Sequence, residues 1–362
     1  MGRILTEKDV EPAVKGGSVY AAGGGGWADH GRMLGYAAVG VGQPELVDIS
    51  ELNDDDWIAT AAAIGAPAST TAWEMRGIDY IKAVQLLQEA LGAKLTGLII
   101  GQNGRSSTLN AWLPSAVLGT KVVDAVGDVR AHPTGDMGSM GLAALPDQMI
   151  QTAVGGNRAE NRYIELVVRG ATAKVSPVLR TASDQSGGFI ASCRNPVRAS
   201  YVRQHAALGG ISLALKLGEA IMAAEAKGGS AVIDAIVATT GGSILAQGTI
   251  SAKDMVYTKD AFDIGTLTLG QGDKAVTLHV MNEYMAVEDQ QGTRLATFPD
   301  VITTLNTQGE PLSVGQIEPG MEIFVLHVPK TMIPLSSSVL DPTVYPYVED
   351  QMGIVLAKYA LA

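Results

Sequence analysis

The sequence predicts an α/β fold in two parts. Residues 1–165 form an N-terminal domain with a largely parallel sheet, and residues 166–362 form a β-rich C-terminal domain carrying a buried helix. Three observations lead there. Strand-like and helix-like runs alternate through the first third of the chain, the pattern of a parallel sheet with covered faces. After Gly241 the pattern changes to short strands separated by Gly, Asp and Asn turns, antiparallel in character. A length of 362 residues also exceeds what one hydrophobic core usually serves.

The elements follow in order. Thr6 can cap a helix running toward Val14, and four consecutive glycines, Gly23, Gly24, Gly25 and Gly26, come next. PELVDIS (44–50) reads as a short strand, and the acidic stretch from Asn53 to Asp56 as a solvated turn. WIATAAAIGAP (57–67) is a buried strand closed by Gly65 and Pro67. Ile78, Ile81, Val84, Leu87, Ala90 and Leu91 recur at helical spacing, and Gly92 stops that helix. LTGLIIG (95–101) is a central strand, residues 102–110 lead into another helical stretch, and KVVDAVG (121–127) is a third strand. Ligands of open parallel sheets sit beyond the carboxyl ends of the strands, which selects the loops at 65–74, 101–108 and 124–138. In the second part RYIELVVRG (162–170) is a strand, and ISLALKLGEAIMAAEA (211–226) is apolar around much of its circumference, hence a buried helix. GSILAQGTI (242–250), GTLTLGQGDKAVTLHVMNEYMAVE (265–288) and MEIFVLHVP (321–329) supply the later strands.

Composition removes several classes of function. A hydrophobic share of 46% rules out disorder, and 43 glycines imply tight turns and close packing of small side chains. The net charge of −11 carries no compensating basic stripe, so neither nucleic acid nor an anionic membrane is an expected partner. Cys193 is the only cysteine, which excludes an internal disulfide and a cysteine-built zinc site. The opening MGRILTEKDVEP has no apolar signal core and no run approaches a membrane span, so a cytoplasmic location is expected. The quadruple glycine fits neither dinucleotide nor P-loop spacing, and no nucleotide cofactor is expected.

Several stretches fall in one order over nearly the whole chain: GGGG (23–26), GAP (65–67) with Glu74, LPSAVLGTKVVDA (113–125), VRAHP (129–133), MNEYMAVE (281–288) and FPDVITTLNTQGEPL (298–312). Together they resemble a bacterial and fungal family associated with hydantoin utilisation and named after S-methyl-thiohydantoin desulfurase. The resemblance implies an N-terminal α/β domain followed by a β-rich one. It also implies hydrolytic removal of a sulfur substituent from a five-membered imide ring, with a metal such as zinc activating the water. The chain departs from that pattern at defined places. Gln102, Asn103, Gly104 and Arg105 stand where the family has a Glu-Ile-Gly-Gly type loop, so an amide replaces a carboxylate. Beyond the third strand Asp124, Gly127, Arg130 and Pro133 are kept. Val126 and Thr134 replace acids, His132 replaces an aromatic residue, and Asp128 and Asp136 are gained.

The candidate site follows from these loops. His132, Asp136 and Asp124 are the expected catalytic groups, with Glu283 closing the site from the other domain. His132 and Asp136 are the expected metal pair, for zinc or another divalent ion, with a third ligand from His30, Asp124 or Glu283. No H-x-x-x-H or H-E-x-x-H pattern supports them. Gly23, Gly24, Gly25 and Gly26 would present N–H groups to an anionic or imide ligand, with Gln102, Asn103, Gly104, Arg130 and Asn282 completing the binding set. Structural readings compete. The glycines suit an ordinary tight turn, Asp124 and Arg130 an ion pair, Asp29 a helix cap and His30 a surface group. Asp300 suits a turn, Cys193 a small buried apolar filler, and His205 and His327 core or surface positions. Strand alternation over LHVMNEYMAV puts His279 and Glu283 on one face and Asn282 on the other. The expected activity is hydrolysis of a small cyclic imide or amide. The alternative is a non-catalytic ligand-binding or accessory protein beside a hydantoinase-like partner, and self-association is a further expectation.

Overall fold

The computed structural model describes residues 2–65, 72–146, 149–272 and 275–362. Ala66 and Pro67 of the GAP stretch, and with them Pro67 as a strand stop, lie outside the described residues.

The first sheet has nine strands: β1 (Arg3–Ile4), β2 (Glu45–Val47), β3 (Trp57–Gly65), β4 (Gly97–Gln102), β5 (Lys121–Asp128), β6 (Met149–Gly155), β7 (Ile164–Gly170), β8 (Phe189–Arg198) and β9 (Ala207–Leu208). Their order is β1-β2-β5-β4-β3-β8-β6-β7, with β9 beside β5. Strands β2, β5, β4 and β3 run parallel and form the core of the sheet. β8, β6 and β7 extend it antiparallel on the β3 side. The sheet therefore continues past residue 165. Met149 to Gly155 pairs with Ile164 to Gly170 as a hairpin across that point, and the ladder with β3 runs on to Arg198.

Helices α1 (Glu7–Tyr20), α2 (Ala28–Val41), α3 (Gly77–Leu91), α4 (Trp112–Leu118), α5 (Thr172–Gln185), α6 (Ala199–His205), α7 (Gly210–Glu225) and α8 (Gly229–Thr240) cover its two faces. Val10 and Val14 of α1, Leu34 of α2, Val84 of α3, Trp112 of α4 and Ile211 of α7 share one core with Leu98 and Val122 of the sheet. On the other face Leu179 of α5 packs on Ile64, Ala153 and Ile190, and Val202 of α6 on Ile58, Ile99 and Val123. Helices α1 and α7 touch backbone to backbone. A Cβ at Gly16 would collide with the Ala214 carbonyl, and one at Gly218 with the Pro12 carbonyl. The buried helix expected at 211–226 is thus α7, packed chiefly on α1.

The second sheet is wholly antiparallel. It contains β10 (Ser243–Tyr257), β11 (Asp263–Leu269), β12 (Val276–Met281), β13 (Glu283–Asp289), β14 (Arg294–Thr297), β15 (Val301–Leu305) and β16 (Glu322–Val328), in the order β14-β13-β12-β11-β10-β16-β15. Helices α9 (Pro346–Met352) and α10 (Ala357–Ala360) close one face through Val348 and Ala360. Helix α8 joins the two halves, since Val232 and Ile236 share the first core with Val301, Leu305 and Leu326 of the second sheet. No helix among the described residues is long and apolar enough to cross a membrane. One sequence reading needs correction here. Residues 276–289 are not one strand: Asn282 adopts φ 56°, Met281 pairs with Glu283, and the chain folds back into a tight hairpin. Asparagine tolerates this left-handed conformation better than most residues.

Candidate functional site

Six segments of the first half converge at the carboxyl ends of its parallel strands, where an open α/β sheet binds ligands. They enclose a cavity of about 70 Å³. Its walls take Ile64 and Gly65 from the end of β3, Gln102 from β4, and His132 to Gly135 from the segment after β5. Gly25 and Gly26, Ser176 and Arg180 of α5, and Phe189 and Arg194 of β8 complete that side. From the second sheet the β12–β13 turn inserts Asn282 and Glu283.

The glycine run is fixed by close approach at every position. A Cβ at Gly24 would collide with Oε1 of Glu283, and one at Gly26 with Oγ of Ser106. At Gly25 it would lie 2.6 Å from Cα of Gly104, and at Gly23 2.7 Å from the Tyr284 ring. The loop is tied on three sides: Tyr284 N–H donates to the Ala22 carbonyl (2.8 Å), Val314 N–H to Gly23 (3.0 Å) and Ser106 N–H to Gly25 (3.0 Å). It is a junction between domains as well as a cavity wall.

The electrostatics are those of a buried site. Burial pushes the Glu283 carboxyl up to about 8, against the opposing pull of Arg130 and Arg180. Its Oε2 is buried with no hydrogen-bond partner. Burial likewise lifts Asp128 to about 8, against the opposing pull of Arg130 and of the Val129 and Arg130 backbone N–H groups. His132 is driven down to about 3, by burial first and then by Arg194 and Arg130. His132 Nδ1 lies 3.8 Å from Asp128 Oδ2, too far for a hydrogen bond. At neutral pH the two groups therefore face each other uncharged, and the contact is not an ion pair. Arg194, 8% exposed on a buried strand, is lowered to about 10 by burial and remains cationic. Its Nε has no partner, and its Nη1 and Nη2 flank Gly135 and Gly101.

The structure gathers Gly25, Gly26, Gln102, His132, Asn282 and Glu283 around one cavity, with Gly24 directly behind Glu283. Other candidates stand elsewhere. Asp124 is a correction: its Oδ1 accepts from Ile211 N–H (3.0 Å) and Ser212 N–H (3.1 Å), capping α7 away from the cavity. Neither does it pair with Arg130. That guanidinium is fully buried and donates from Nη1 to the carbonyls of Tyr284 (2.9 Å) and Asp300 (3.0 Å), bolting the sheets together. Asn103 also has a structural place, donating to the Val129 (3.1 Å) and Gly210 (3.0 Å) carbonyls. Gly104 packs on Gly25, and Gln102 accepts from His132 N–H (3.1 Å). Asp136 lines an adjoining outer cavity rather than the inner one.

His30 is buried beside Trp73 and reaches the Tyr80 hydroxyl (3.1 Å), so it is neither a surface group nor a ligand at the cavity. Asp29 pairs with Arg32 inside α2 (2.9 Å) instead of capping it. Cys193 is buried, with its thiol pushed well up by burial. His327 pairs with Asp300, and His205 with Ser337.

Two residues at the cavity, Arg180 and Arg194, were not among the sequence candidates. Arg194 did leave a signal, a charge inside the strand-like run FIASCRNPVR, because unpaired charges are rarely buried without use.

Among the described residues no three His, Cys, Asp or Glu side chains come together to hold a metal ion. His132 and Asp136 therefore do not form the expected metal centre with His30, Asp124 or Glu283. The two cavity arginines also oppose a divalent cation. The residues present do not fit a catalytic zinc.

Comparison with known proteins agrees with the fold. A crystal structure of a protein from Chromobacterium violaceum superposes with a TM-score of 0.71 over 96% of both chains, at 23% identity. No curated protein matches the chain. The S-Me-THD-like N-terminal domain matches residues 8–162, and the S-Me-THD-like C-terminal domain matches residues 171–336. With both family domains present in order over most of its length, the chain belongs to the S-methyl-thiohydantoin desulfurase-like family.

Proposed function

We propose that the protein is a hydrolase acting on a small cyclic imide or amide of the S-methyl-thiohydantoin or hydantoin class. One observation carries the reading: a ring-sized chamber holds a buried guanidinium whose Nε has no partner, Arg194, together with a buried carboxyl pushed toward its protonated form, Glu283. About 70 Å³ accommodates roughly five water-sized groups, the scale of a five-membered ring. A fixed cation in a dry site stabilises charge that develops on a ring nitrogen or oxygen during attack.

The chemistry closes without a metal step. Water adds to the ring carbon bearing the sulfur, forming a C–O bond while the C=N electron pair moves to nitrogen opposite Arg194. The protonated Glu283 gives its proton to that nitrogen and, now a carboxylate, takes one proton from the added water, an exchange open at neutral pH to a carboxyl pushed up to about 8. Collapse breaks the C–S bond. Glu283 gives that proton to sulfur and takes the remaining hydroxyl proton, so methanethiol leaves, the ring carbon ends as an amide carbonyl beside N–H, and Glu283 is protonated again. His132 and Gln102 shape the wall that faces the ring. The lone buried Cys193 is compatible with a reducing cytosol.

Methanethiol release from an S-methyl-thiohydantoin tests this directly. Turnover by the purified protein is expected, and Glu283→Gln should reduce kcat by about 10²-fold or more with the ring still bound. Tight ring binding without turnover would instead mark an accessory protein that leaves the chemistry to a hydantoinase-like partner.

A further inference from the structure

The inner chamber adjoins a second cavity of about 580 Å³, and Thr134, Gly135, Ser176 and Arg180 line both. The inner space admits a ring and little more, whereas the outer one has the volume of a typical small-molecule site. We propose that the outer cavity is a subsite for a bulky, uncharged, preferably aromatic arm carried by the ring on its side facing Ser176 and Arg180. The inference rests on the ring reading of the inner chamber and adds the substituent that the ligand must carry.

The walls supply the chemistry. Phe262 is buried, and the Arg180 guanidinium lies over its ring at 4.3 Å. That guanidinium is itself held, donating from Nη2 to the Pro133 carbonyl (2.7 Å) and from Nη1 to the Ala261 carbonyl (3.3 Å). Tyr347 stands 6.2 Å from Phe262, and its hydroxyl donates to Asp260 (3.3 Å). Across the cavity α5 presents Ala173 and Pro177. An aromatic arm thus meets a fixed aromatic wall on one side and a small-residue helix face on the other. Charge sets the exclusion. Asp136, Asp184 and Asp260 line the cavity against Lys259 and Arg180, so a carboxylate on the arm meets net repulsion.

Three S-methyl-thiohydantoins, unsubstituted or bearing a benzyl or carboxymethyl group on the ring carbon, separate the outcomes by calorimetric affinity and by turnover. The benzyl compound should bind about tenfold tighter than the unsubstituted ring, and the carboxymethyl compound more weakly than either. Ala173→Trp, an exposed position on α5, should fill the outer cavity and remove the benzyl advantage while leaving the unsubstituted ring unaffected. Tyr347→Ala should weaken only the benzyl compound. Thermal melting confirms that both variants fold. Equal affinity for benzyl and unsubstituted rings, or a benzyl advantage that survives Ala173→Trp, overturns the subsite. Binding in the expected order without turnover overturns the hydrolase reading and leaves the subsite standing. Failure of every ring to bind overturns both.

Discussion

Glu283 is a carboxylic acid held neutral by its surroundings, and that has a thermodynamic sign. Its folded value of about 8 lies above the ordinary glutamate value of 4.5. Below pH 4.5 both folded and unfolded states hold the proton, and the group costs nothing. As pH rises toward 8 the unfolded chain releases its proton while the folded chain keeps it, so stability falls, by about 1.4 kcal/mol per unit of separation. Glu283→Gln should therefore leave the Tm unchanged at pH 4 and raise it by several degrees at pH 8. A Tm difference independent of pH would contradict a protonated Glu283. His132 acts in the opposite sense: its folded value near 3 costs stability as pH falls below 6.5. The same residues show what a sequence reveals at this scale. Glu283 and His132 were legible because each sits in a short stretch with an unusual polar residue. Arg194 was passed over, since its importance comes from the burial of its side chain and an Nε without a partner, a property of its neighbours.

At the scale of elements, the segment after β5 divides its polar residues by direction. Asp124, inside the strand, serves the α7 N-terminus, whereas His132, beyond the strand end, reaches the cavity. Asp124→Ala should cost about 1 kcal/mol of stability, as loss of a helix cap does, with ring binding and turnover unaffected. Denaturant melts beside an activity assay check both halves, and lost activity at intact stability would return Asp124 to the site. The period of apolar residues was enough to locate β3, β4, β5, α3 and α7 within a few residues. It missed the break in the 276–289 run, because the signal for a hairpin there is one asparagine in a left-handed conformation with no glycine beside it. It also did not place β8, whose antiparallel docking on β3 depends on partners far apart in the chain.

For the whole molecule, the two sheets meet through Arg130, the glycine run and the α8 contacts. Arg130→Met would strip the Tyr284 and Asp300 carbonyls of their donor in a buried interface, at a cost on the order of 3 kcal/mol. Tyr284 adjoins Glu283, so activity should fall along with stability, and measuring both in one variant tests the docking role. Full activity at reduced stability would detach Arg130 from the placement of Glu283. Such contacts between residues far apart in the chain cannot be read from local pattern, although the α/β and β-rich halves could be. The tight hairpin at Asn282 has a last consequence. It carries the Glu283 carboxyl of the second sheet to the arginines of the first, so the cavity has its full lining only once the last strands have closed.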